Sequence, residues 1–364
     1  MKKYHPFNLR TIETFALAVL CIGSCLTGCG DKKANTLNSE HIVSNFTNIC
    51  NNGELYTDSV GRLNFCDFES MKSSVLCPNP NCTHSSADSC SSFGMSNHPI
   101  IFDGSLYFFD SEIIQEDKDF RYHSKVYKAN ADGTNRSVLT EVDDLNIPEY
   151  ARMLVYNDIA YFSAEKVEFD EYGATTGYIT TYLYAFDLSS GKLTNRTEIC
   201  SGYHGGAWIY GSYDNKVYLN CSASEEQLDY TDIEALQSIE HQYLCYDIAE
   251  EKLIRSELPV PTLVQNGNYI YVSDNLMIVK CEGQTDKPIE NFTYNEINLV
   301  NNKLFSAWNG VVADIDSGIV YQLKETDWET VAFVNNKYIL KKGDDIGNQY
   351  KAVDEDELIG DART

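Results

Sequence analysis

A short pattern recurs seven times along the chain and restricts its fold more than any other feature. An apolar run ends in a pair of small polar residues, and a second run, apolar or aromatic, follows at once. The pairs are Asn52-Gly53, Asp103-Gly104, Asn157-Asp158, Asp214-Asn215, Asn266-Gly267, Asn301-Asn302 and Asn335-Asn336. The runs after them include SLYFF, IAYFS, KVYLN and KYILK. Residues that tolerate positive φ between two β-rich runs specify tight hairpins. The pairs recur every 35 to 55 residues or so, roughly the length of a four-stranded propeller blade.

Most units continue into a third run and a second turn, as in KVYKANADG, TYLYAFDLSSG, QYLCYDIAEEK and GVVADIDSG, and then into a fourth run. A four-stranded sheet of this kind leaves both apolar faces open, and radial stacking of the sheets covers them. The fold class expected is therefore all-β, a β-propeller of seven four-stranded blades over residues 46–364, with six or eight blades if a repeat has been split or merged. Blade limits fall near 46–94, 95–145, 146–201, 202–260, 261–293, 294–326 and 327–364. Two β-sandwich domains are the competing architecture. One short helix is expected within residues 224–242. Closure of the ring falls either to residues 40–44, as outer strand of the last blade, or to DELIG near the C-terminus.

In such a ring the first-to-second and third-to-fourth strand turns share one face, and the remaining connections share the other. The seven pairs are short and uniform, whereas the long segments 111–124, 164–180 and 222–241 all join second to third strands. They are acidic and aromatic and fall in three adjacent blades, so binding, which long loops on a rigid scaffold commonly carry, is preferred to tolerated drift. Their candidate ligand-binding residues are Phe120, Tyr122, Phe169, Tyr172, Tyr178 and Tyr230.

The N-terminus is basic and then apolar, and it ends in Leu26-Thr27-Gly28-Cys29. This has the layout of a secretory signal cut before a cysteine that receives lipid. Residues 1–28 read as the signal peptide, and 29–45 as the acylated (palmitate-bearing) Cys29 and a polar tether. The expected location is the extracytoplasmic face of the cell membrane, with the lipid bilayer as partner through Cys29. Removing residues 1–28 turns 28 Lys+Arg into 25 and 54 Asp+Glu into 53, so the formal charge moves from -26 to -28. A surface this acidic repels phosphate backbones, which excludes nucleic acid as a partner.

The segment LCPNPNCTHSSADSC brings Cys77, Cys82, His84 and Cys90 close together in sequence. Three thiolates and an imidazole suit a tetrahedral structural zinc, although the C-x4-C-x-H-x5-C spacing lacks a compact C-x2-C pair. Outside a cell, clustered cysteines also form disulfides, and Cys66, Cys77, Cys82 and Cys90 allow three connectivities. Both outcomes remain open from sequence, and either one staples the loop. The other cysteines sit mostly in strand-like runs and read as small buried apolar residues.

No HExxH, Walker-type phosphate loop or G-x-S-x-G elbow occurs. ADGTN, DLSSG and DIDSG lack the ligand alternation of an EF-hand and read as third-to-fourth strand turns. GYHGGAWIYG, residues 202–211, places Trp208 where it would line the axial channel or, alternatively, uses its glycines for close strand packing. With the lipobox, the repeated hairpins and LCPNPNCTH in view, the chain resembles extracytoplasmic lipoproteins of Gram-positive bacteria. Their propeller is similar to that of the low-density-lipoprotein-receptor-related family. The resemblance implies location and fold rather than activity. The function expected is a membrane-anchored binding or scaffold protein that recognises a protein, peptide or glycan through its loop-rich face. A glycan-active enzyme working at the axial funnel and a thiol or metal sensor are the alternatives.

Overall fold

The computed structural model describes residues 41–43, 47–50, 52–77, 79, 81–86, 90–93, 99–116, 119–148, 152–229, 231–265, 267–274, 276–281, 283–292, 297–344 and 347–363. Cys29, Tyr230 and Asn266 lie outside the described residues, as does most of the 29–45 segment. The fold is all-β. Among the described residues the helices are two short turns, Ile233–Gln237, inside the expected 224–242 window, and Glu355–Leu358.

The strands form seven successive antiparallel meanders. The first comprises Thr47–Cys50, Gly53–Thr57, Leu63–Asp67 and Lys72–Val75, and the second Ile100–Phe102, Ser105–Glu116, Asp119–Asn130 and Ser137–Asp143. The third runs Met153–Tyr156, Ile159–Phe169 and Thr175–Asp187, and ends in the first half of Lys192–Tyr213. The second half of that long strand opens the fourth, followed by Lys216–Ser224, His241–Asp247 and Lys252–Arg255, so these two meanders share one eight-stranded sheet. The fifth holds Pro261–Gln265, Asn268–Ser273, Leu276–Cys281 and Lys287–Ile289; the sixth Asn298–Val300, Lys303–Ser306, Val311–Asp314 and Val320–Leu323. The seventh has three strands, Glu329–Val334, Lys337–Asp344 and Gly347–Val353.

Turn chemistry explains this regularity. Both residues of Asp103-Gly104, Asn157-Asp158, Asp214-Asn215, Asn301-Asn302 and Asn335-Asn336 have positive φ, the backbone of a two-residue turn whose twist matches its strands. Gly53 differs: it opens a strand, and a Cβ there would sit 2.4 Å from the Cys66 carbonyl oxygen, so space rather than φ requires it. Third-to-fourth strand turns are held by aspartate. Asp187 Oδ1 accepts from the Ser189 and Ser190 amides at 2.8 and 2.9 Å, Asp247 Oδ1 from Ala249 and Glu250, each at 3.0 Å, and Asp314 Oδ1 from Ser317 at 2.8 Å. This is the turn-forming role expected of DLSSG and DIDSG.

The meanders stack face to face in cyclic order. Met153–Tyr156, a first strand, is buried throughout, whereas Lys72–Val75, a fourth strand, is almost wholly exposed. Leu55 and Leu63 of the first meander pack with Leu106 and Phe108 of the second. Similar cores join the second to the third, and so on through the sixth to the seventh. A last core sets Tyr56, Cys66 and Phe68 of the first against Val331, Ala332 and Ile339 of the seventh, so the packing returns to its start. The arrangement is propeller-like.

Two expectations about closure fail. The described part of residues 40–44, His41–Val43, pairs with Met153–Tyr156, the first strand of the third meander, and not with the last. DELIG does not complete the seventh either. Its strand, Ile359–Ala362, becomes a fifth strand beside Val320–Leu323 of the sixth, because the helical turn Glu355–Leu358 carries the chain across and buries Leu358 in the core between those meanders. A side-chain contact joins the first meander to the last instead. Glu54, fully buried, accepts from Lys341 Nζ at 2.7 Å and from the Tyr350 hydroxyl at 2.9 Å. Burial pushes the Glu54 carboxyl up, and Lys341 and Tyr350 pull it part of the way back.

Candidate functional site

The four residues of the cysteine segment converge. Cys77, Cys82, His84 and Cys90 place their ligand atoms within 4.8 Å of one another. A tetrahedral zinc with Zn–S near 2.3 Å sets its sulfurs about 3.8 Å apart, so a small contraction of the loop completes the shell. His84 has φ +53, which turns its amide toward Cys82 Sγ at 3.4 Å and its Nδ1 toward Cys90 Sγ at 3.2 Å. Arg62 donates to the His84 carbonyl at 3.5 Å and ties the loop to the turn between the second and third strands. Burial opposes ionisation of Cys90, yet hydrogen bonds from Ser92 and His84 outweigh it and bring the thiol down to about 6; a thiolate is the form a metal binds. All four residues can serve one metal ion. Cys66, Cys77, Cys82 and Cys90 form no disulfide with one another, and Cys66 lies apart in the core between the first and seventh meanders.

Of the candidate aromatic residues, Phe120, Tyr122, Phe169 and Tyr178 occupy strands rather than irregular loops. Segment 111–124 is a hairpin paired out to Glu116 and Asp119, and 164–180 extends the pair Ile159–Phe169 and Thr175–Asp187. Phe169 lies 6.3 Å from Phe120 and 5.6 Å from Tyr122, ring centre to ring centre, and so joins the two hairpins. The Phe120 ring lies where a Cβ on Gly173 would be, at 2.6 Å. Tyr178 packs edge-on against Tyr203 at 5.4 Å. These four rings are half-buried and fasten hairpin to hairpin, whereas Tyr172, at the turn, is 82% exposed.

A cavity of about 420 Å³ opens on the face that carries these hairpins, and sequence reasoning did not find it. Its lining includes Arg152, Asn298, Trp308, Asp327, Trp328 and Glu329. Arg152 precedes the first strand of the third meander, and the others belong to the sixth and seventh or the link between them, so the cavity draws on distant parts of the cycle. Trp308 is 81% exposed. Asn298 Nδ2 donates to Glu329 Oε1 at 2.8 Å, and Lys351 Nζ lies 4.5 Å over the Trp328 ring. The Arg152 guanidinium stacks 4.1 Å from the ring centre of Trp208, and its Nε is buried without a hydrogen-bond partner among the described residues. Burial pushes its pKa down. The chain has three tryptophans, and all three therefore stand at or directly behind this cavity. Only Trp208 was flagged by sequence. Its neighbouring glycines do serve packing, since a Cβ on Gly202 would sit 2.5 Å from the Ser224 carbonyl oxygen.

No family model matches the chain, and no curated protein matches it. Among solved structures, an oligogalacturonate lyase in complex with manganese aligns over 88% of this chain and 91% of its own, at 10% identity and TM-score 0.41. An oligogalacturonate lyase from Vibrio parahaemolyticus aligns over 83% and 85%, at 10% identity and TM-score 0.40. A prolyl endopeptidase aligns over 97% of this chain and 47% of its own, at 12% identity and TM-score 0.33. Likeness this low carries no argument about chemistry.

Proposed function

We propose that the chain is a seven-bladed β-propeller, tethered through acylated Cys29 to the outer face of the cytoplasmic membrane, that binds a protein, peptide or glycan through the face bearing the long hairpins and the cavity. The observation that carries this reading is the convergence of the third, sixth and seventh meanders on one cavity, since a ring concentrates contributions from several blades at its axis. The N-terminal pairing agrees with it. Val43 sits opposite Met153 and His41 opposite Val155, so the chain enters this strand from the end nearest the Asn157-Asp158 turn. A tether that continued on that side would leave the cavity facing away from the lipid.

The Cys3His cluster, on this reading, is a structural zinc site that staples the link between the first two blades. Native mass spectrometry tests it: one zinc per chain is expected, and none in Cys82→Ser. Zinc-free masses two hydrogens apart before and after reduction would replace the metal with a disulfide. Labelling with a palmitate analogue tests the anchor; the wild-type protein should carry label and sediment with membranes, and Cys29→Ala should do neither. For recognition itself, Ala307→Arg at the cavity wall should abolish the stabilisation that a ligand confers on the purified protein. A ligand whose effect survives that change places recognition elsewhere.

A further inference from the structure

Among the described residues the cavity is lined by one cation, Arg152, and two carboxylates, Asp327 and Glu329, beside the indoles of Trp308 and Trp328. This mixture restricts the ligand. An anionic ligand would meet two carboxylates for one guanidinium on a chain of formal charge -26. A cationic ligand would meet Arg152, and one face of Trp328 already carries Lys351. A purely apolar ligand would offer no acceptor to the Arg152 guanidinium. What remains is an uncharged molecule that offers a flat C–H face to an indole and a rim of hydroxyls that both donate and accept.

We propose that the cavity binds a neutral saccharide, with exposed Trp308 as its stacking platform, Arg152 as hydrogen-bond donor and Asp327 and Glu329 as acceptors for its hydroxyls. Three observations support this. Trp308 is 81% exposed in the short turn between Lys303–Ser306 and Val311–Asp314, where no core needs it. Arg152 lines the cavity with its guanidinium held by stacking on Trp208 rather than by a carboxylate, which leaves it a donor for a ligand oxygen. A cavity of about 420 Å³ is within the range of small-molecule sites and admits more than one sugar ring. The inference rests on the hairpin-bearing face as a recognition surface, but on neither the lipid anchor nor the metal.

Because all three tryptophans stand at this cavity, their fluorescence reports its occupancy. The purified protein is titrated with neutral di- to tetrasaccharides of glucose, galactose, mannose and xylose, with oligogalacturonate as an anionic probe and choline as a cationic one. At least one neutral saccharide should change the emission saturably, and its affinity should fall about tenfold or more in Trp308→Ala and in Arg152→Gln, the loss expected for one stacking or hydrogen-bonding contact. Trp308→Ala removes no core contact and should keep the wild-type melting temperature, so its loss of binding is not misfolding. Saccharide binding indifferent to both substitutions overturns the proposal, as does the absence of any neutral binder at millimolar concentration. Binding of oligogalacturonate or choline alone overturns the saccharide while leaving the face as a recognition surface.

Discussion

Glu54 shows how much one residue can be asked to do. Its carboxylate is fully buried at the junction of the first and seventh meanders, where Lys341 and Tyr350 satisfy it. Lys341→Met leaves that charge without its ion-pair partner, and urea unfolding should register a loss of about 3–5 kcal/mol. The folded Glu54 already holds its proton more tightly than the unfolded residue does, and losing Lys341 raises it further. A carboxyl raised in this way contributes most at low pH and loses its contribution as pH rises through the folded value. The deficit of Lys341→Met should therefore shrink on acidification, and Glu54→Gln in the same chain should recover part of it at neutral pH. A deficit constant with pH would remove the charge from the explanation. None of this is visible in ELYT, where Glu54 reads as an ordinary polar strand residue. At the cysteine segment, by contrast, ligand types were legible, because thiols and imidazole within fifteen residues restrict the chemistry whatever the fold. Metal against disulfide was not, since that depends on where each Sγ points.

Among the elements, the hairpins were the most legible, for their turns need backbone angles that only a few residue types adopt cheaply. Asn335→Val would place a β-branched residue at φ +52 and should cost about 1–2 kcal/mol in thermal or urea unfolding. The aspartate turns allow a pH test. Although burial pushes Asp314 up, the Ser317 amide and hydroxyl and Lys303 outweigh it and leave its carboxyl below the usual range. A carboxylate lowered in the fold stabilises above its unfolded pKa, and that contribution disappears as pH falls through the folded value. Asp314→Ala should accordingly lose roughly 1 kcal/mol at pH 7, and its gap to wild type should close progressively below about pH 4. An undiminished gap at pH 3 would assign the loss to packing. The length of the hairpins was misjudged. Segments 111–124 and 164–180 read as loops because their polar and charged residues mask the strand period, yet the ladders run on, with Phe120, Tyr122 and Phe169 holding one hairpin to the next.

On the scale of the whole molecule, seven interfaces in cyclic order share the load, and the C-terminal strand serves the sixth meander rather than the seventh. Ending the chain after Val353 removes that strand and takes fully buried Leu358 out of the core between the sixth and seventh meanders. The large-to-small cost of one such side chain alone is about 2–5 kcal/mol, so the truncated chain should melt well below the full one by calorimetry; an unchanged melting temperature would make the fifth strand decorative. What the sequence determined by itself is local: the places where the backbone must reverse, the strand character between them, and the donor set at residues 77–90. These follow from φ preferences and ligand chemistry that neighbouring residues impose on one another. Only the tertiary structure decided the route of the two chain ends, the burial of Glu54 and the meeting of Arg152, Trp308 and Trp328. Those contacts join residues far apart in the chain, and the side chains that form them carry no periodic or turn signal from which their partners could be read.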